Sequence, residues 1–313
     1  MRWTSESHHE KSNNACRRIS LAQDMIRCKA FTKANKQCSV TNRSSWTNEH
    51  GRLVAEPLLR GGEFCLFHSK PFCTTVVQVE DFDRLLIFIL DLETTGVDIT
   101  KDRVVEIAAI QCRGDARMHC ASFSTTVQVD PLILKERGKQ AFEVHGITDV
   151  EIQNGPSFKQ AWERFLEWID DLTNTATIYD SDSDDDLELP TILEDPVVVL
   201  VGHNAFRFDF PFLLCELLRH NLSTTIFGHW YFVDTLHVFK DCNQYGCVKL
   251  QCLARDTMMD PGHAHRALDD CVVLGKIANI FAQRLGVSTQ HLLSMYLVEL
   301  DLASSIAQLT VLM

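Results

Sequence analysis

The chain is predicted to fold as an α/β protein in which helices cover both faces of a mixed sheet. Uninterrupted apolar runs typical of buried strands recur along it, and segments with helical periodicity separate the later runs. At 313 residues, 45% of them hydrophobic, it has enough material for one principal core and a small appendage.

Strands come first in the predicted order, and helices then alternate with strands. The strands are predicted from runs such as Leu85 to Leu90, and the helices from apolar spacing such as Val273, Leu274, Ile277 and Phe281. In chain order the predicted elements are strands at 85–93, 103–113 and 120–129, a helix at 157–172, a strand at 197–201, a helix at 210–220, a strand at 230–234 and a helix at 264–284.

Two carboxylates stand at the end of the first apolar strand. Asp91 and Glu93 are two residues apart and therefore share one face of the strand, where they can hold a cation between them. Charged groups at the end of a buried strand must be solvated, paired or bound to metal. A solvated strand end before the turn Thr94-Thr95-Gly96 explains the same residues equally well.

Two later helix starts carry further polar groups. Asp209 comes just before Pro211, where an ordinary N-cap would explain it. His265 precedes Asp270 by five residues at the start of the last long helix, where a surface or capping histidine is also common. Neither position alone predicts catalysis.

As an ordered set, Asp91, Glu93, Asp209, His265 and Asp270 resemble the motif residues of the DEDDh exonucleases, the family of the polymerase proofreading subunit and of the three-prime repair exonucleases. The resemblance covers roughly residues 83–285. Three other stretches also match, and they are Val104 to Ala109, His145 to Thr148 and Phe232 to Leu236.

The second motif is most similar to the three-prime repair type. The family pattern His-Asn-Gly-x-Arg-Tyr-Asp-Phe-Pro-x-Leu reads here from His203 to Leu213, and it departs only at Ala205 and Phe208. The family implies an RNase H-like sheet on which carboxylates converge from the central strand and two later helices. It also implies a metal-dependent 3′→5′ exonuclease that acts on single-stranded or frayed 3′ ends, with DNA expected before RNA.

The resemblance also implies a role for each motif residue. Two Mg²⁺ or Mn²⁺ ions about 4 Å apart are expected, with Asp91 bridging them, Glu93 and Asp270 on the ion that carries the attacking water, and Asp209 supporting the other through water. His265 is expected to take the proton of that water. Asp269 and His263 adjoin the chosen residues, and the family's five-residue separation selects Asp270 and His265.

Substrate contacts are predicted beside these motifs, because apolar surfaces grip unstacked bases without reading sequence. The apolar members of the set could equally be core residues. The predicted substrate-binding residues are Leu92, Thr94, Val97, Ile147, Asn204 and Phe208.

The N-terminal segment, residues 1–75, is predicted to hold a small zinc module. Its four predicted ligands fit a tetrahedral structural site, and they are Cys28, Cys38, Cys65 and His68. Cys16 and Cys73 are substitutes, and scattered thiols are the alternative. Residues 1–70 contain 12 Lys and Arg against 6 Asp and Glu, whereas the whole chain has a net charge of −12. The basic balance would suit nucleic acid or a protein partner.

Other features complete the predicted organisation. The acidic run at 180–188 is expected to be an insertion at the rim of the catalytic domain, and 286–313 a helical extension. No signal core or membrane span is expected, so an intracellular protein, cytoplasmic or nuclear, is predicted. A homodimer is left open. A degenerate domain that binds nucleic acid or protein without cutting, and an exoribonuclease, are the alternative functions.

Overall fold

The computed structural model describes residues 46–47, 53–54, 73–77, 84–112, 121–178, 191–192, 196–242, 246–257 and 265–312. The chain divides into two compact units, residues 1–70 and residues 71–313. In the first unit the described residues are an antiparallel pair of short strands, β1 (Trp46–Thr47) and β2 (Leu53–Val54). The predicted zinc ligands, His263 and the acidic run all lie outside the described residues.

A seven-stranded mixed sheet forms the centre of the second unit. Its strands, in sequence order, are β3 (Cys73–Val76), β4 (Leu85–Thr94), β5 (Val104–Cys112), β6 (Ser122–Thr126), β9 (Val197–Gly202), β10 (Tyr231–Asp234) and β11 (Val298–Asp301), while β7 (Thr177–Ile178) and β8 (Thr191–Ile192) form a separate antiparallel pair. Across the sheet the order is β3-β11-β10-β9-β4-β5-β6. The pairs β10/β9 and β9/β4 are parallel and the others antiparallel.

Helices flank this sheet. They are α1 (Pro131–Ile133), continued by a π-helical turn (Leu134–Gly138), α2 (Lys139–His145), α3 (Asp149–Asn154), α4 (Phe158–Asn174), α5 (Asp209–Arg219), a 3₁₀ turn (Thr225–Gly228), α6 (Thr235–Cys242), α7 (Leu250–Asp256), α8 (Ala267–Leu285), α9 (Thr289–Ser294) and α10 (Leu302–Leu312). Within the described ranges, none of these helices is both long and apolar enough to cross a membrane.

The predicted α/β class is confirmed, and two details of the predicted organisation need correction. The 286–313 segment is not purely helical, because β11 lies between α9 and α10 and fills a place in the sheet between β10 and β3. The boundary predicted at residue 75 falls inside β3, which pairs with β11 and belongs to the second unit. Both strands are short and pair with partners far away in sequence.

The alternation of side chains along β4 separates two cores and aims the first motif. Phe88 and Leu90 face the core formed with α4 and α5, whereas Ile87 and Ile89 face the core formed with α8. Helix α8 can lie close to the strand because Gly275 has no side chain, and a Cβ there would meet Ile89 Cδ1 at 3.2 Å. Asp91 and Glu93 continue the row that faces α8.

Candidate active site

Three carboxylates meet where β4 ends and α8 begins. Oxygen atoms of Asp91, Glu93 and Asp270 all lie within 4.8 Å of one another. Two come from alternate residues of the extended strand, and the third comes from the first turn of the helix that packs on that face. Among the described residues this is the one such group of metal-ligating side chains. Asp269 is not part of it.

Asp209 approaches the same strand from the opposite side of the sheet. A simple helix cap was the alternative explanation for Asp209, but Phe208 occupies the N-cap position and Asp209 is the first residue of α5. Its Oδ1 instead accepts a hydrogen bond of 3.1 Å from the backbone N–H of Leu92, the residue between the two strand carboxylates. The side chain is 2% exposed, so it is held rather than solvated.

Burial and mutual repulsion make these carboxylates reluctant to ionise. Burial, followed by the charges of Asp209 and Glu93, raises the pKa of Asp91 well above its ordinary value. Burial and then Asp270 raise the pKa of Glu93 to about 9. Burial raises the pKa of Asp209 to about 7 and that of Asp270 above its usual range. A bound divalent cation would reverse this preference, because it favours the ionised form of each ligand.

The raised pKa values of these carboxylates predict a pH dependence of stability for the metal-free protein. The folded state keeps a proton on Glu93 up to about pH 9, whereas the unfolded chain releases it near 4.5. The folded state therefore binds more protons across this window, and the free energy of unfolding should fall as pH rises. Thermal unfolding in EDTA should show a lower Tm at pH 8 than at pH 6.5, and saturating Mn²⁺ should remove most of the decrease.

A Glu93→Gln variant is the control for that measurement, because its side chain cannot titrate. Its Tm in EDTA should vary less with pH than that of the wild type. The buried Glu216, whose pKa is lowered to about 2, contributes only below the chosen range. A wild-type Tm in EDTA that rises from pH 6.5 to pH 8 would contradict the assigned protonation of the cluster.

His265 lies directly before α8 in a left-handed backbone conformation, with φ 72°. Its backbone and its ring both act to lower the pKa of Asp270, against the larger effect of burial. Its ring reaches the exposed Gln251 of α7, with 2.7 Å between Gln251 Nε2 and His265 Nε2. Since an amide N–H donates, His265 Nε2 carries a lone pair in this arrangement. That is the form a proton acceptor needs, once the contact with Gln251 opens.

The turn that follows β9 is held by a carboxylate to which the sequence analysis gave no role. Asp234, at the end of β10, accepts from the N–H groups of Asn204 at 2.8 Å and Phe206 at 3.1 Å. These bonds fix the second motif, in which Asn204 has a left-handed φ of 61°. An acidic residue directly after the apolar strand residues Phe232 and Val233 was the available signal.

His203 belongs to the same turn but is a structural group. Its Nδ1 lies 2.9 Å from Thr235 Oγ1, and that hydroxyl donates to the carbonyl of Gly202 at 3.1 Å. Burial lowers the pKa of His203 to about 4, so the ring is neutral at neutral pH.

Ala205, one of the two departures from the family pattern, is accommodated by Gly202. A Cβ added at Gly202 would lie 2.6 Å from the Ala205 Cβ and 3.3 Å from the Leu90 carbonyl oxygen. Gly202→Ala should therefore destabilise the fold by about 1–3 kcal/mol, the usual cost of overpacking a core. Asp209 Oδ2, 3.8 Å from the new atom, would be in ordinary van der Waals contact with it and need not move. Chemical denaturation measures the loss.

The compensating change is available in this chain. The double variant Gly202→Ala, Ala205→Gly moves the single methyl group from one side of the contact to the other and should recover most of the lost stability, while Ala205→Gly alone supplies the reference. No recovery in the double variant would mean that the Leu90 carbonyl contact dominates.

The predicted substrate-binding residues fall into two environments. Leu92 and Ile147 are buried in apolar clusters, where they pack against neighbouring side chains. Val97 is 83% exposed, and Phe208 is half-buried with its ring centroid 4.8 Å from that of Phe212. Thr94 donates from its hydroxyl to the Gly96 carbonyl. Contact of these residues and of Asn204 with a substrate stays a prediction.

An open groove of about 590 Å³ has Glu106 and Asp269 in its lining but none of the three clustered carboxylates. Its walls come from the end of α2 and from the start of α8, and they include Phe142, Val144, His145, Arg266 and Asp269. Phe142 and Val144 are 45% and 53% exposed. The groove thus combines an apolar rim with charged groups next to His265.

Comparison with known proteins agrees with this geometry. Residues 88–182 match the RNase T family model, described as an exonuclease. A DNA polymerase III of PolC type from Thermotoga maritima is 24% identical over 218 residues, covering 69% of this chain and 13% of that protein. The exonuclease DPD1 of Arabidopsis thaliana, described as chloroplastic/mitochondrial, is 26% identical over 213 residues, covering 64% of this chain and 58% of that protein. The chain thus spans about an eighth of the first relative and little more than half of the second.

A solved structure shares the fold. The nuclease domain of 3′hExo, described as a DEDDh family member bound to rAMP, has a TM-score of 0.50 and 16% identity to this chain. The likeness covers 64% of this chain and 92% of that one. The RNase H-like arrangement expected from the motifs is therefore present.

Proposed function

We propose, on the premise that residues 83–285 form a domain of the DEDDh exonuclease family, that this protein hydrolyses phosphodiester bonds stepwise from the 3′ end of nucleic acid. One observation carries the proposal. Asp91, Glu93 and Asp270 bring their oxygens within 4.8 Å of one another, and His265 stands next to them at the start of α8. The products would be nucleoside monophosphates.

The donor set fits divalent metal ions. Carboxylate oxygens are the hard ligands that Mg²⁺ and Mn²⁺ prefer, and divalent charge would offset the mutual repulsion that contributes to the raised pKa values of Asp91 and Glu93. When bound, two such ions would neutralise charge that builds on the phosphate and would make water a stronger nucleophile. Asp91, Glu93 and Asp270 would be direct ligands. Asp209, held by Leu92, would support the second ion through water.

Side chains of the protein would then accept the proton of the attacking water and hold the nucleic-acid strand. His265 would accept the proton of the attacking water through Nε2 after Gln251 withdraws. Val97 and Phe208 would pack against the unstacked terminal bases. Such contacts need separated bases, which favours single-stranded or frayed 3′ ends.

We propose DNA as the substrate. The PolC-type relative is named as a DNA polymerase, which supports this choice. The ribose 2′-OH is what would separate RNA from DNA at such a site, and the rAMP bound by 3′hExo makes RNA the alternative to be tested.

Matched oligonucleotides test the proposal directly. Purified protein would be incubated with 5′-labelled single strands of DNA and of RNA with the same sequence, in Mg²⁺, in Mn²⁺ and in EDTA. A ladder shortened from the 3′ end is expected with metal and none in EDTA, with DNA degraded faster. Asp91→Asn controls for contaminating nucleases.

Other results have defined meanings. Tight binding of the strand without cleavage in either metal would replace the proposal with the degenerate binding module. Faster degradation of the RNA would make the protein an exoribonuclease of the same fold. Cleavage in the middle of the strand would overturn the exonuclease assignment.

A further inference from the structure

Glu106 is a buried carboxylate that lies beside the proposed metal ligands without joining them. It stands on β5 directly opposite Glu93 of β4, and its side chain is 2% exposed. Both of its oxygens are already engaged. Arg266 Nη2 donates to Oε1 at 2.8 Å, and the backbone N–H of Ala267 donates to Oε2 at 3.0 Å.

These two bonds join the sheet to the start of α8. Ala267 is the first residue of that helix and Arg266 is its N-cap, whose own side chain makes no capping bond. The first N–H groups of a helix need acceptors, and a negative charge there also interacts favourably with the helix dipole. Glu106 meets both needs from a strand 160 residues away in sequence.

His265 and Asp270 flank the anchored residues. His265 immediately precedes Arg266, and Asp270 lies in the first turn that Ala267 begins. The position of this turn sets the distance of Asp270 from Glu93, and Glu93 pairs with Glu106 itself. One buried side chain on β5, the strand paired with β4 and its two ligands, thus reaches the helix start that carries the third ligand and the base.

We propose that Glu106 is a positioning residue of the active site, which holds the start of α8 in register with β4 through Arg266 and the Ala267 N–H. The part that concerns turnover rests on the proposed function. The part that concerns helix position and metal affinity stands on the contacts alone.

A charge effect and a positioning effect of Glu106 differ in what Glu106→Gln would change. A charge effect alone would weaken cation binding, because a negative group near the site is lost, but it would leave the start of α8 in place. If Glu106 positions the helix, the same change should also speed amide exchange in the first turn of α8. Loss of an outer partner of a metal site typically costs about 10- to 100-fold in affinity or activity.

A second buried glutamate provides a matched control. Glu216 is 1% exposed and accepts a bidentate pair of bonds from Arg103, at 2.6 and 2.7 Å. Its partners lie in the loop after β4 and on α5, and none of these bonds reaches α8. Both Glu216→Gln and Glu106→Gln should lower the stability of the protein. Only Glu106→Gln should weaken Mn²⁺ binding and loosen the start of α8.

The experiment compares Glu106→Gln, Glu216→Gln and the wild type as full-length proteins. Mn²⁺ affinity would be measured by calorimetry, amide hydrogen exchange at the start of α8 by mass spectrometry, and kcat and KM on a DNA strand. For Glu106→Gln we expect roughly 10- to 100-fold weaker Mn²⁺ binding or lower kcat, faster exchange in the first turn of α8 and little change in KM. Glu216→Gln should match the wild type in Mn²⁺ affinity and in exchange at α8.

Arg266→Gln keeps the inference testable if Glu106→Gln does not fold, since Arg266 is half-exposed. The double variant Glu106→Gln, Arg266→Gln should bind Mn²⁺ no more weakly than the weaker-binding single variant, because each single change already breaks the Glu106–Arg266 pair. Unchanged or tighter Mn²⁺ binding by folded Glu106→Gln would overturn the inference, as would an equal loss in Glu216→Gln. If the wild type does not cleave, the exchange and Mn²⁺ data still decide the positioning role, and the proposed function fails separately.

Discussion

Asp91→Asn should eliminate strand cleavage while leaving the protein folded. Asp91 is the proposed bridging ligand, and its oxygens meet those of Glu93 and Asp270. The fall in the cleavage rate should therefore exceed the roughly 10- to 100-fold effect of losing an outer partner of a metal site. The amide keeps the size of the side chain, so no cavity forms. In EDTA the variant should be at least as stable as the wild type, because one member of a repelling cluster is neutral.

Three measurements check this prediction together. Gel assays follow cleavage, calorimetry follows Mn²⁺ binding, and thermal unfolding in EDTA follows stability. Asp171→Asn, a change of the same charge at an exposed position of α4, should leave all three unchanged. Full activity of Asp91→Asn would refute the assigned site, whereas a large drop in its Tm would mean that Asp91 has a structural role that the cluster geometry does not suggest.

Sequence patterns located most of the sheet because its central strands are buried on both faces. Such strands are read from local composition, and the apolar run before Asp91 predicted β4 to within one residue at its end. Strands β3 and β11 gave weaker signals. Each has four residues and pairs at the edge of the sheet with a segment more than 200 residues away. The alternation of apolar and charged residues from Val298 to Asp301 is a strand-like signal, but it spans only four residues.

Some contacts in the candidate site also follow from local sequence, whereas others depend on how distant elements pack. Asp91 and Glu93 are two residues apart on one strand, so their convergence follows from strand geometry. The convergence of Asp270 on them depends on where α8 packs, which the family motif implied and no local pattern could. The contacts of Glu106 with Arg266 and of Gln251 with His265 join residues remote in sequence, so they required coordinates. Asp209 shows how a local rule is overridden, because Leu92 supplies a partner that the capping pattern did not include.

Asp270→Asn and His265→Ala should both be far more damaging than Asp269→Asn. Asp270 belongs to the carboxylate group and Asp269 does not, although the two are adjacent. Burial raises the pKa of Asp270, while the nearby His265 opposes that rise. Asp270→Asn should abolish measurable cleavage and weaken Mn²⁺ binding. His265→Ala should lower kcat by about 10²- to 10⁴-fold, the usual contribution of a general base, with little change in Mn²⁺ affinity.

The two variants therefore separate a ligand from a base. Asp269→Asn is the matched control, since it makes the same chemical change one position away and should keep kcat within a few-fold of the wild type. If Asp269→Asn is the more harmful aspartate change, the third motif is shifted by one residue. If His265→Ala loses Mn²⁺ affinity as strongly as Asp270→Asn, the imidazole holds the metal-binding turn in place instead of accepting a proton.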